Sequence, residues 1–141
     1  MLLNLSGWEQ AEAQVMPLRI EVFVREQGVP LELEYDEFDA VSLHAVCADA
    51  AGRVLATGRL LPDGHIGRLA VVADWRGRGL GGRVLEALVA EAGRRGLAEV
   101  LLHAQTQAED FYRRHGFVAD GEVFDEADIE HRRMRRPLGA S

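Results

Sequence analysis

The sequence contains no lysine; all 16 of its basic residues are arginine. This excludes Schiff-base chemistry and any cofactor carried on a lysine amine. It also excludes a P-loop, which needs a Gly-Lys-Ser/Thr step. Cys47 is the single cysteine, so neither an intrachain disulfide nor a cysteine-based zinc site is available, and no metal is expected. Its setting, Ala45-Val46-Cys47-Ala48, reads as a buried strand with an inert thiol. No apolar run is long enough to span a membrane, and Met1 to Gly7 lacks the basic start and apolar stretch of a secretory leader. The expectation is a soluble cytoplasmic protein with no membrane partner. Positive charge is in deficit: 23 acidic residues against 16 basic give a net charge of −7. A general nucleic-acid surface needs the opposite balance, so no nucleic-acid partner is expected.

The 141 residues, 48% of them hydrophobic, fit a single domain spanning 1–141. A chain of this length buries roughly two-thirds of its unfolded surface and needs no staple. Residues 2–5 read as a first strand and 7–26 as a helix with Pro17 inside or restarting it, although residues 20–24 alternate like a strand. Gly28-Val29-Pro30 ends that element, and an acidic loop runs to Ala40. Residues 43–48, 54–61 and 66–72 read as an antiparallel meander with turns at Gly52 and Pro62-Asp63-Gly64. A helix follows with apolar positions Leu80, Val84, Leu85, Leu88, Val89 and Ala92, closed by Gly96. Residues 100–102 read as a buried strand parallel to 66–72 through a right-handed crossover. A short helix spans 107–115, and 117–124 and 131–136 read as the last strands. The order β-α-β-β-β-α-β-α-β-β implies an α/β (α+β) mixed sheet with helices packed on it.

The strongest chemical signal lies at the third meander strand. Arg76-Gly77-Arg78-Gly79-Leu80-Gly81-Gly82 joins that strand to a helix. Closely spaced glycines let backbone N–H groups converge on one anion, and the helix adds the positive end of its dipole. The combination reads as a pyrophosphate cradle. Gly77, Gly79 and Gly82 also have Gly-x-Gly-x-x-Gly spacing, but a mid-chain position after an antiparallel meander does not fit an opening βαβ dinucleotide unit.

Arg76-Gly77-Arg78-Gly79-Leu80-Gly81 resembles the Arg/Gln-x-x-Gly-x-Gly/Ala motif of the GNAT N-acetyltransferase family. Residues 101–117, ending in Tyr112…Gly116-Phe117, look like its second signature. Leu18-Arg19, Val22-Phe23-Val24, Glu26-Gln27-Gly28-Val29-Pro30, the acids from Glu32 to Glu37, Ala104 to Ala108 and His131 are similar to a small bacterial subgroup. The resemblance implies the GNAT fold, a mostly antiparallel sheet with a central splayed parallel pair and helices on both faces. It implies acetyl-CoA as co-substrate. Leu69, Ala70 and Val71 would pair with pantetheine, and Arg76, Gly77, Arg78, Gly79, Leu80, Gly81 and Gly82 would hold the pyrophosphate. Gln105 stands where the family usually has Asn and would reach the cofactor arm. Tyr112 would donate to the leaving sulfur. His131 is the first candidate for the base, with Glu26 and Glu34 behind it, and many relatives move the proton through water instead. His103 and His115 flank the Tyr112 helix and read as structural.

The segment 32–39 holds five carboxylates. One reading is a solvated loop; the other is an acceptor wall in which Glu26, Glu32, Glu34 and Phe38, with Tyr35, receive a small cationic amine. The predicted function is acetyl transfer to such an amine. The alternative is a non-catalytic acyl-CoA sensor or interaction module. The family often dimerises, so a homodimer is a further expectation. The N-terminal half also resembles acyl-homoserine-lactone synthases, but those chains are typically longer and the C-terminal signature is that of the simple acetyltransferases.

Overall fold

The alternation and turn residues between 43 and 71 give the expected meander of β2 (Leu43–Ala48), β3 (Val54–Leu60) and β4 (Ile66–Val71), preceded by β1 (Leu2–Ser6). The structure, a computed structural model, describes residues 1–34 and 36–139. The first sheet has the order β1-β2-β3-β4 and is antiparallel throughout. The second consists of β5 (Glu99–Gln105), β7 (Ile129–Pro137) and β6 (Val118–Glu126), in the order β5-β7-β6, again antiparallel.

Helix α1 (Trp8–Arg19) contains Pro17 and runs straight into a π-helical segment, Ile20–Glu26. The strand-like alternation at 20–24 is therefore helix wound one residue wider, as the Gln27 N–H to Val22 carbonyl bond of 3.2 Å attests. A single turn, α2 (Leu31–Glu34), follows. Helix α3 (Leu80–Arg94) buries the expected stripe from Leu80 to Ala92. It lies on one face of the first sheet. At Gly58 of β3 an added Cβ would sit 3.0–3.1 Å from Val84, Leu69 and Leu88, so this close approach requires glycine. Leu85 and Leu88 are fully enclosed there, each contributing about 1.5–3 kcal/mol. Helix α1 covers the other face, where Arg19 and Arg59 share Asp39. Helix α4 (Glu109–Arg114) sits against the second sheet.

β4 and β5 are parallel, as expected, but meet at one point only. His65 bridges Leu101, and the Leu101 N–H donates to the Gly64 carbonyl at 3.0 Å. Beyond that point each strand is the edge of its own sheet. A bulge shapes the β4 side. Thr57 pairs with Ala70 and Arg59 with Gly67, so Arg68 and Leu69 together face Gly58. Arg68 holds a φ of 52°, which costs a non-glycine residue roughly 1–2 kcal/mol.

Candidate active site

The split between β4 and β5 opens a continuous cleft of about 1550 Å³. Leu69, Ala70 and Val71 line it from β4 and Gln105 from β5, with Tyr112 and His131 among its other walls. The π segment contributes Phe23 and Glu26. The split thus gathers residues that lie far apart in the sequence.

The glycine run reaches the cleft as read. Gly79 is the N-cap of α3 with a φ of 84°, a conformation that disfavours any side chain. No side chain caps this helix start, so its first amides are free for an outside acceptor. Gly82 packs tightly, since a Cβ there would lie 3.0 Å from His115 Nε2. The arginines are more engaged than the motif suggests. Arg76 donates to the Val71 carbonyl (3.0 Å) and to Glu26 (2.8 Å). The Arg78 guanidinium lies over the Trp75 ring at 4.6 Å, outside the cleft lining. Its side chain therefore lies apart from the expected cradle. Gly79→Asp is expected to abolish thermal stabilisation by acetyl-CoA. The carboxylate would take up the helix amides as an N-cap and repel an anion. The folded state should survive, because capping offsets part of the strain; a melt with and without ligand checks both points.

Tyr112 packs edge-on between Phe111 and Phe117, with centroids at 5.1 and 5.9 Å. Burial pushes its phenol up to about 12, so it stays protonated. Gln105 donates to Gln27 at 2.8 Å. The amide that was expected to reach a cofactor arm must first leave that bond.

His131 is buried at 7% exposure. It pairs with Gln105 and Phe124 across β7. Alternation sends Arg132 and Met134 to the opposite face, where Arg132 meets Glu109 of α4 and Met134 joins the core. Tyr112 on α4 and His131 therefore approach the cleft from opposite faces of the second sheet. The His131 Nδ1 lies 2.7 Å from the Ile129 carbonyl. A carbonyl can only accept, so Nδ1 carries a proton and Nε2 holds the lone pair of the neutral ring.

The acidic segment departs most from expectation. Arg19 binds Glu34 (2.6 Å) and Asp39 (2.9 Å); Arg59 binds Asp39 (2.9 Å) and Asp36 (2.7 Å). Arg68 closes the circuit to Asp36 (3.2 Å) and Glu34 (3.6 Å). Three of the five carboxylates are thus matched by three arginines in one ring, and they are neither a solvated loop nor a free amine trap. Burial pushes the Glu34 carboxyl above its ordinary value, offset in part by Arg19. Asp36 is less deeply set; burial opposes the shift, but Arg59 and Arg68 bring it below. Glu34 lines the cleft yet spends its carboxylate on Arg19, so the arrangement suits holding better than proton transfer. Glu32 sits two positions away on the same helical turn and faces outward, exposed and outside the cleft; its expected substrate role finds no support in this placement. Phe38 lines the cleft. Tyr35 lies outside the described residues. His115, expected to be structural, also lines the cleft, 2.9 Å from Glu86, which pairs in turn with Arg136.

Residues 9–138 match the model of the acetyltransferase (GNAT) domain. The chain belongs to the GNAT acetyltransferase family. It is 38% identical over 122 residues to a Bacillus subtilis protein named uncharacterized N-acetyltransferase YjcF, covering 84% of this chain and 87% of that one. An acyl-CoA N-acyltransferase from Pseudomonas aeruginosa superposes with a TM-score of 0.85 at 35% identity, covering 96% and 98% of the two chains. Escherichia coli ElaA superposes with a TM-score of 0.87 at 25% identity, covering 96% and 99%. The GNAT fold and the acyltransferase class implied by the motifs hold. No helix among the described residues is long and apolar enough to cross a membrane.

Proposed function

We propose that this chain is an acetyl-CoA-dependent N-acetyltransferase that acylates a small primary amine by direct attack. The observation that supports the reading is the cleft between β4 and β5, which Tyr112 and His131 both line, with the uncapped start of α3 beside it. Bound acetyl-CoA supplies a thioester carbon open to a neutral amine. Leu69–Val71 lie on a free sheet edge suited to an extended pantetheine, and the Gly77–Gly82 amides suit its pyrophosphate. The amine nitrogen bonds to the acyl carbon as the carbon–sulfur bond breaks. The Tyr112 hydroxyl hydrogen-bonds the departing sulfur, and His131 Nε2 takes the proton that the amine must lose. With the ring acids neutralised by arginine, Asp63 and Glu126 are the carboxylates at this end of the cleft that favour a cationic acceptor.

Thermal melts with acetyl-CoA, then thiol release with spermidine, histamine and 2-phenylethylamine, test the reading. The expected result is a clear rise in melting temperature, about 2.7 kcal/mol of stabilisation at 100 times the dissociation constant, and turnover of at least one amine. A shift without any turnover would favour the non-catalytic sensor. Absence of a shift at millimolar ligand would defeat both.

A further inference from the structure

Glu126 occupies a position that no motif predicts. It ends β6, and the turn Ala127-Asp128, with φ of 53° and 61°, leads directly into β7. The register Phe124↔His131 and Glu126↔Ile129 places Phe124, Glu126 and His131 on one sheet face. Phe124 stacks beside the His131 ring, with centroids 6.0 Å apart. The two Glu126 oxygens are divided between two histidines. Oε1 lies 3.0 Å from His103 Nδ1, and Oε2 lies 3.7 Å from His131 Nε2. The first is a hydrogen bond that anchors the carboxylate. The second falls short of one, which leaves the Nε2 lone pair open to an incoming amine.

Other charged groups nearby have partners of their own. Asp63 pairs with His65 at 2.9 Å, and Arg133, opposite His103, lies 3.6 Å from Asp120. Glu34, Asp36 and Arg68 belong to the arginine ring. Gln105, opposite His131, is bonded to Gln27. Among the described residues Glu126 is the one carboxylate within 4 Å of His131.

We infer that Glu126 is a positioning residue for acetyl transfer, held by His103, which stabilises the imidazolium formed at His131 until its proton passes to water. The inference rests on the reading of His131 as the base. The balance is simple. The amine N–H proton moves to His131 Nε2. It then passes from Nε2 to solvent, which reaches the Glu126 side chain at 49% exposure, while the ionised carboxylate stabilises the imidazolium; the departing thiolate takes up one proton from solvent. His131 returns to its starting state.

The test measures kcat and KM with the amine turned over in the spermidine, histamine and 2-phenylethylamine panel. Glu126→Gln should lower kcat about tenfold and leave the KM for acetyl-CoA unchanged, and Glu126→Asp, which keeps the charge, should recover part of the rate. On a His131→Gln background Glu126→Gln should cost nothing further, because Glu126 acts through the imidazole. Wild-type kcat in Glu126→Gln, or the full loss persisting on the His131→Gln background, would overturn the inference. Failure of the base reading looks different: His131→Gln alone would then retain wild-type kcat. Glu126 ends a strand at a half-exposed position and Gln is its isostere, so folding is not at issue.

Discussion

Tyr112→Phe is expected to lower kcat by about 10²–10⁴-fold, the range typical of a lost proton donor, while thermal stabilisation by acetyl-CoA stays at the wild-type level. The substitution removes one hydroxyl and keeps the ring between Phe111 and Phe117, so packing is preserved. Burial also fixes a pH signature. Because the phenol is pushed from 10 up to about 12, the donor form persists through the alkaline range. No loss of wild-type rate near pH 10 should trace to this residue; any alkaline limb there should persist unchanged in Tyr112→Phe. An unchanged kcat in the variant would reassign Tyr112 to the core.

Arg19→Met is expected to destabilise the fold by about 3–5 kcal/mol, a large part of the 5–15 kcal/mol typical of a domain. Arg19 is 1% exposed and binds Glu34 and Asp39, both also buried. Deleting the cation leaves two enclosed carboxylates short of a partner. Adding Glu34→Leu to Arg19→Met should recover part of the loss, since it removes one orphaned charge. Chemical denaturation of both variants separates this from a simple loss of volume, which the second change would not repair. The ring also ties the 34–39 segment to the bulge, because Arg68, at its unfavourable φ, is one of the three cations. Loosening it should therefore raise the KM for the amine before it changes that for acetyl-CoA.

Local patterns made the meander, the α3 stripe and the glycine run legible, since each depends on residues a few positions apart. The same holds for Tyr112, whose neighbours Phe111 and Phe117 are close in sequence. The acidic segment was misread because its partners, Arg19, Arg59 and Arg68, lie 15 or more positions from the carboxylates they bind. Composition sees five acids there; only the fold brings three cations to them. Residues 20–24 read like a strand because β-branched Ile20, Val22 and Val24 stand at every second position, a local pattern that carries no sign of the π winding which brings both Val22 and Phe23 to the cleft. Glu126 was missed because Ala-Asp carries none of the usual Asn-Gly signal for a two-residue turn. Reading that turn would have set the β6–β7 register and placed Glu126 beside His131.

The single contact at His65 and Leu101 has a consequence for solvent exchange. A β protein normally hides or charges its free edges, because an unpaired strand invites another chain. Here two such edges face each other across an internal gap, roofed by helices rather than exposed to neighbours. Amides on the far side of the contact, at Leu69 to Val71, should therefore exchange with deuterium quickly in the free protein where they are not paired to β3. They should slow when an extended ligand fills the gap as a borrowed strand. Amides of Val46 and Cys47, deep in the first sheet, should hardly change. That contrast would reveal occupancy of the gap residue by residue, with no acceptor and no turnover required.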